Sequence, residues 1–126
     1  MGKPFALIVD DHYDSGIIFS EALEWAGLET EIVRSGEVAL ARLAVIVPDV
    51  IVLDMCLPRV AGTDILRRIR ADARLAKTRV IIATADQWIA DALPYDEADA
   101  VLLKPIGFNQ LRRVAASLIA DAPQDQ

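Results

Sequence analysis

The chain has 126 residues, 54% hydrophobic and 25% charged, which suits one compact domain with a packed core and excludes a disordered chain. Its net charge of −6 offers no basic surface to displace counterions, so direct binding to nucleic acid is not expected. Cys56 is the lone cysteine, Lys3 leads into Asp10 and Asp11 rather than an apolar leader, and no apolar run nears the ~20 residues that span a bilayer, so the expected setting is the reducing cytoplasm, away from membranes.

In chain order, Phe5 to Val9 is a continuous apolar run, as expected of a strand buried on both faces. Ile18, Ala22, Trp25 and Ala26 recur at helical spacing, and Gly27 is placed to end that helix. Thr30 to Val33 reads as a shorter strand, and Ser35 as the cap of a second helix carrying Val38, Leu40 and Leu43. Pro48 breaks that helix, and Val50 to Leu53 forms a third strand ending at Asp54. Thr63 is the expected N-cap of a third helix presenting Ile65, Leu66 and Ile69. The nearby Arg67, Arg68, Arg70 and Arg74 read as a solvated face. Val80 to Ala83 is a fourth strand ending at Thr84, followed by a short helix from about Asp86 that stops before Pro94. Val101 to Leu103 is a fifth strand ending at Lys104, and Phe108, Leu111, Ala115 and Leu118 mark a last helix. A polar tail, 121–126, follows a single domain over 1–120. Strands alternating with helices give an α/β fold class, a five-stranded parallel sheet with helices on both faces.

Polar residues end four of the strands: Asp10 with Asp11, Asp54, Thr84 and Lys104. In an open α/β sheet, ligands bind beyond the carboxyl ends of the strands, where strand order reverses. The common order for five units, 2-1-3-4-5, makes the first and third strands neighbours and brings Asp10, Asp11 and Asp54 into one crevice. Carboxylates held together repel, and a hard divalent cation relieves that repulsion. An oxygen-only set without a His or Cys cluster favours Mg2+ over zinc, with Mn2+ the other ion such a set accepts. A carboxylate nucleophile, a metal, the Lys104 cation and the Thr84 hydroxyl together suffice for phosphoryl transfer.

The segments LIVDDH, VLDMCLP, IIATA and LLKP, in this order and spacing, resemble the signature blocks of the response-regulator receiver domains of bacterial two-component signalling. Each block alone is a weak signal. Together they are specific, and the resemblance covers essentially the whole chain. It implies that Asp54 is the phosphoacceptor and that Asp11 binds Mg2+ directly, with Asp10 acting mainly through a water. It further implies that the backbone carbonyl of Cys56 is a metal ligand, that Thr84 and Lys104 grip the phosphoryl group, and that the Lys104–Pro105 bond is cis. The implied donor is a histidine kinase or histidine phosphotransfer protein, and the output an unidentified protein partner. Such a chain catalyses its own phosphorylation and dephosphorylation and is not a turnover enzyme. The chain departs from the family at Val101, where many receivers carry Tyr or Phe, and in the short stretch interrupted by Pro94.

Other readings weigh less. A single Asp at a strand end is usually a turn residue, and a single strand-end lysine usually lies on the surface; their weight comes from the set. A phosphatase of the haloacid dehalogenase type would need an acid two residues after Asp54, where Cys56 stands. A nucleotide-binding module would need a glycine-rich loop after the first strand. A phosphorylation-independent interaction domain of the same fold and a phosphate shuttle or sink remain as alternatives. His12 reads as a partly exposed loop residue without chemistry, and Trp25 and Trp88 as packing residues. Cys56 has no partner for a disulfide, and its side chain and that of Asp86 flank the water that attacks phosphoaspartate in the family.

Overall fold

A computed structural model of the chain describes residues 2–92 and 97–120. The elements follow in order as β1 (Phe5–Val9), α1 (Tyr13–Trp25), β2 (Glu29–Val33), α2 (Gly36–Leu43), β3 (Val50–Asp54), α3 (Gly62–Ala71), a turn of 3-10 helix (Ala73–Leu75), β4 (Arg79–Thr84), α4 (Gln87–Ala92), β5 (Ala100–Leu103) and α5 (Phe108–Ala120). All pairings are parallel, and the sheet order is β2-β1-β3-β4-β5, the order expected. Pro94 and the tail 121–126, to which the sequence assigned a helix stop and a polar end, lie outside the described residues.

Strand residues alternate between two cores because successive side chains leave a strand on opposite faces. Ala6, Ile8, Val50, Val52, Ile81 and Ala83 pack beneath α1 and α5, against Phe19, Leu23, Leu111 and Ala115. Leu7, Val9, Ile51, Leu53, Val80 and Ile82 pack beneath α2 and α3, against Leu43, Ile65, Leu66 and Ile69. A sheet apolar on both faces explains why β1, β3 and β4 read as unbroken apolar runs.

Several local expectations hold. Ser35 caps α2, its Oγ accepting from the Val38 N–H at 3.1 Å. Gly27, with φ of 101°, ends α1, and the Gly27 and Leu28 N–H groups return to the carbonyls of Glu24 and Leu23.

Others are corrected. α1 buries Gly16, Phe19, Ala22 and Leu23, whereas Ile18 and Trp25, placed on its inner face from their spacing, are exposed, Trp25 by 76%. Tyr13, Ile17, Ile18, Phe19, Leu23 and Trp25 put apolar groups on most sides of this helix, so periodicity alone does not select the face that meets α5. Trp88 is likewise no packing residue, being 85% exposed on α4. Thr63 does not cap α3. The first turn closes on the Ala61 carbonyl, which accepts from Asp64 and Ile65, with Gly62 packed tightly on Met55.

The arginine run is not one solvated face either. Arg67 is exposed, but Arg70 donates to the carbonyls of Glu97 (2.7 Å) and Thr78 (3.0 Å) and to Asp99 (3.1 Å). Arg74 reaches the Leu43 carbonyl at 2.6 Å.

Candidate functional site

The site lies where β1, β3, β4 and β5 end, and each strand exit presents its polar residue for a backbone reason. Asp10 follows β1, its N–H bonded to the Val33 carbonyl at the end of β2. Its carboxylate is fully buried, and Oδ1 accepts the His12 N–H at 2.8 Å, closing a tight turn that leaves Asp11 exposed at the rim. Asp54, the last residue of β3, is 4% exposed and makes the same kind of turn, its Oδ1 accepting the Cys56 N–H at 3.0 Å. In both turns one carboxylate oxygen is held locally, which leaves the second for the crevice.

Lys104 supplies the charge between them. Its backbone N–H donates to the Thr84 carbonyl at 2.8 Å, extending the β4–β5 ladder by one residue, and the cis bond to Pro105 follows. Its Nζ lies 3.3 Å from Asp10 Oδ2 and 3.3 Å from Asp54 Oδ2, with the lysine side chain only 18% exposed. One oxygen from each of Asp10, Asp11 and Asp54 falls within 4.8 Å of the others. A hard divalent ion suits this set, since all the donors are carboxylate oxygens; the residues present therefore fit Mg2+.

Burial pushes the Asp10 carboxyl above its usual range, and the neighbouring Asp54 charge adds to the push. The His12 N–H and the Lys104 ammonium oppose it without cancelling it. One lysine shared by two buried carboxylates, with Asp11 beside them, leaves negative charge in excess, and the three carboxylates could hold a further cation.

Thr84 is fully buried at the end of β4, and its Oγ1 accepts the Asp86 N–H at 3.1 Å. The hydroxyl therefore accepts a backbone bond while its own hydrogen remains available to donate. Asp86 turns back on its own chain and accepts the Trp88 N–H at 2.9 Å, starting α4. Val101, at the position that is aromatic in many receivers, is partly buried and packs against the α2–α3 core. Cys56 is exposed at the rim, and so is His12.

The structure thus brings Asp10, Asp54 and Lys104 into direct contact and sets Asp11 beside them, with Thr84 in the adjoining strand. One neighbour was missed. Arg34, directly after β2, donates from Nη1 to the His12 carbonyl at 3.2 Å and stacks over Tyr13 with its guanidinium carbon 4.6 Å from the ring centre. The available signal was a charged residue at the end of the one strand to which no site residue had been assigned.

Comparison with known proteins agrees with this geometry. The family model for the response regulator receiver domain matches residues 6–116. The chain is 36% identical over 118 residues to the DNA-binding dual master transcriptional regulator RpaA of Synechocystis, covering 91% of this chain and 49% of that protein. It is 30% identical over 118 residues to the polar-differentiation response regulator DivK of Brucella ovis, covering 92% of this chain and 96% of that one. The chain spans less than half the length of several curated relatives it matches, RpaA among them. Among solved structures, the signal receiver domain of a signal transduction histidine kinase from Syntrophus aciditrophicus superposes with a TM-score of 0.85 at 25% identity, over 98% of this chain and 95% of that one. No helix among the described residues is long and apolar enough to cross a membrane. With the family model covering most of its length and its fold and acidic crevice matching, the chain belongs to the response regulator receiver domains of two-component systems.

Proposed function

We propose that this chain is a phosphorylation switch that takes a phosphoryl group from a phosphohistidine onto Asp54 and thereby changes which protein it binds. The observation that carries this reading is Lys104 Nζ standing 3.3 Å from both Asp10 and Asp54 at the mouth of an otherwise acidic pocket. A purely structural lysine would need one buried partner. This one leaves the pocket short of positive charge, as a site awaiting both a metal and a phosphoryl group requires.

In the transfer, an Asp54 carboxylate oxygen attacks phosphorus, the phosphorus–nitrogen bond of the donor breaks, and the imidazole leaves with the electron pair and takes a proton from solvent. The Cys56 N–H holds Oδ1 of Asp54, which aims Oδ2 into the crevice. Lys104 follows the charge as it moves from the carboxylate to the phosphoryl oxygens, and the Thr84 hydroxyl donates to one of them. Asp10, Asp11, Asp54 and the Cys56 carbonyl would hold Mg2+, which when bound would supply neutralisation of the incoming phosphoryl charge. Water later hydrolyses the acyl phosphate, so the chain resets itself and is not a turnover enzyme.

The donor is a histidine kinase or a histidine phosphotransfer protein, the setting is the cytoplasm, and the output is a protein contact. RpaA is by name a DNA-binding regulator; this chain, with a net charge of −6, acts on a partner or attached module rather than on DNA itself.

The test is intact-mass spectrometry after incubation with acetyl phosphate, with and without Mg2+, on wild type and Asp54→Asn. One added phosphoryl group that requires both Mg2+ and Asp54 is the expected result. No adduct at short sampling times would overturn the proposal in favour of a receiver fold kept for binding alone.

A further inference from the structure

The proposed reaction leaves the cluster around Arg34 unused. The segment that carries Asp11 is pinned on both sides: the His12 N–H bonds to Asp10 Oδ1 at 2.8 Å, and the His12 carbonyl accepts both the Gly16 N–H at 3.1 Å and Arg34 Nη1 at 3.2 Å. Arg34 itself stacks on Tyr13 and has no carboxylate partner among the described residues, although three acids stand in the adjoining crevice. Its charge is spent on a carbonyl and a ring, both within the turn that begins α1.

Gly16 is an independent mark of the same arrangement. A glycine inside a helix costs about 1 kcal/mol relative to alanine, and this one is buried on the inner face of α1. A Cβ there would meet Arg34 Nη1 at 3.1 Å and Ile32 Cγ2 at 3.2 Å. The missing side chain makes the room through which the guanidinium reaches the His12 carbonyl.

We infer that Arg34, admitted by Gly16, is a positioning residue that latches the Asp10–His12 turn and so presents the exposed Asp11 carboxylate to the metal. This rests on the receiver chemistry proposed above and assigns a role to a residue outside the acidic, Thr and Lys blocks. Arg34 touches neither the reacting atoms nor the ion. Its planar fork can satisfy the carbonyl while stacking on the ring, which a lysine ammonium of equal charge does not reproduce. The sign of the effect separates this role from simple electrostatics. A cation beside a metal site repels the metal, so if charge alone mattered, removing Arg34 would tighten Mg2+ binding.

The test is calorimetric titration of Mg2+ into the full chain, for wild type, Arg34→Lys, Arg34→Gln and Gly16→Ala, together with thermal melts in chelator. Wild type is expected to bind, and both Arg34 variants to bind roughly tenfold more weakly, as when a group that orients a metal ligand is removed. Gly16→Ala is expected to weaken binding in the same direction, because its Cβ crowds Arg34 Nη1, and is judged on affinity alone, since helix propensity and crowding of Ile32 act on the melting temperature with opposite signs. With acetyl phosphate, the Arg34 variants should need more Mg2+ for half-maximal labelling but reach the wild-type rate when saturated. Wild-type or tighter Mg2+ affinity in the Arg34 variants overturns the latch, as does a lowered melting temperature with unchanged affinity. Failure of the wild type itself to bind Mg2+ would overturn the receiver chemistry and the latch together, a result distinguishable from the other two.

Discussion

Asp10 has no exposed surface, yet its carboxylate shares one lysine with Asp54 and sits close to Asp11. Burial and the Asp54 charge together hold its pKa above the usual value, so the folded chain binds a proton there more tightly than the unfolded one. By linkage, this group makes the metal-free fold less stable as pH rises from the unfolded carboxylate value through the raised one. Asp10→Asn keeps the shape, removes that charge, and is expected to raise the melting temperature of the metal-free protein at pH 7 by about 4 °C, or ~1 kcal/mol in a domain of this size. The same substitution should abolish the stabilisation that Mg2+ gives the wild type. Melts with chelator and with Mg2+ check both, and an unchanged or lowered metal-free melting temperature would mean that the pocket carries no such repulsion.

Between elements, two charged contacts differ in what they are worth. Glu31 on β2 and Arg42 on α2 form a two-pronged pair at 2.7 and 2.9 Å, with each side chain about a third exposed. The Arg42 hydrogen bond holds the Glu31 carboxyl below its usual range. A depressed folded pKa contributes stability above the unfolded value, lost as pH falls through the folded one. Glu31→Gln should therefore cost about 0.5 kcal/mol at pH 7, a value discounted for solvent screening, and nothing once the wild-type carboxyl is protonated. Urea denaturation at pH 7 and in acid below the depressed Glu31 value reads the difference, and an equal cost at both would assign it to packing. Arg70 is worth more, because from α3 it holds the Thr78 carbonyl before β4, the Glu97 carbonyl before β5, and Asp99. Arg70→Ala takes their side-chain donor from the Glu97 and Thr78 carbonyls, while Asp99 keeps Arg79 and the Val80 N–H, and is expected to cost about 2 kcal/mol, against less than ~0.5 kcal/mol for the exposed Arg67→Ala. The same denaturation measurement compares the two.

On the scale of the whole molecule, an apolar sheet packed on both faces is a rigid platform, and its polar strand exits converge on one edge. Turning such a domain almost fully from one state to the other takes about 5.5 kcal/mol of differential binding, which the proposed phosphorylation would have to supply. With Val101 packed on the α2–α3 core, no aromatic ring is available at that position to swing inward. The expected route is through Thr84 and the start of α4, since Thr84 Oγ1 accepts the Asp86 N–H and Asp86 accepts from Trp88. Structures of the free and beryllofluoride-bound chain should show Thr84 and the 85–88 backbone displaced while Val101 keeps its place. An unmoved Thr84 and α4 would remove this route.

Much of this was legible in the residues. The five strands and the polar residues at their ends follow from short apolar runs that a sheet buried on both faces demands, whereas their order 2-1-3-4-5 is the common one for five such units and not something the runs themselves dictate. Asp10, Asp11, Asp54 and Lys104 come together at one edge of the sheet because backbone direction at the strand exits carries them there, with Thr84 at the exit of β4. Which face of an almost wholly apolar helix turns inward was not legible: Trp25 and Ile18 yielded the core to Phe19 and Leu23 only because α5 packs there. Nor were the roles of Arg70 and Arg34, whose hydrogen bonds span 27 and 22 residues of sequence. Local pattern sets the period and the ends of an element, whereas the partner of a long polar side chain is decided by whichever backbone carbonyl the tertiary fold leaves unpaired beside it.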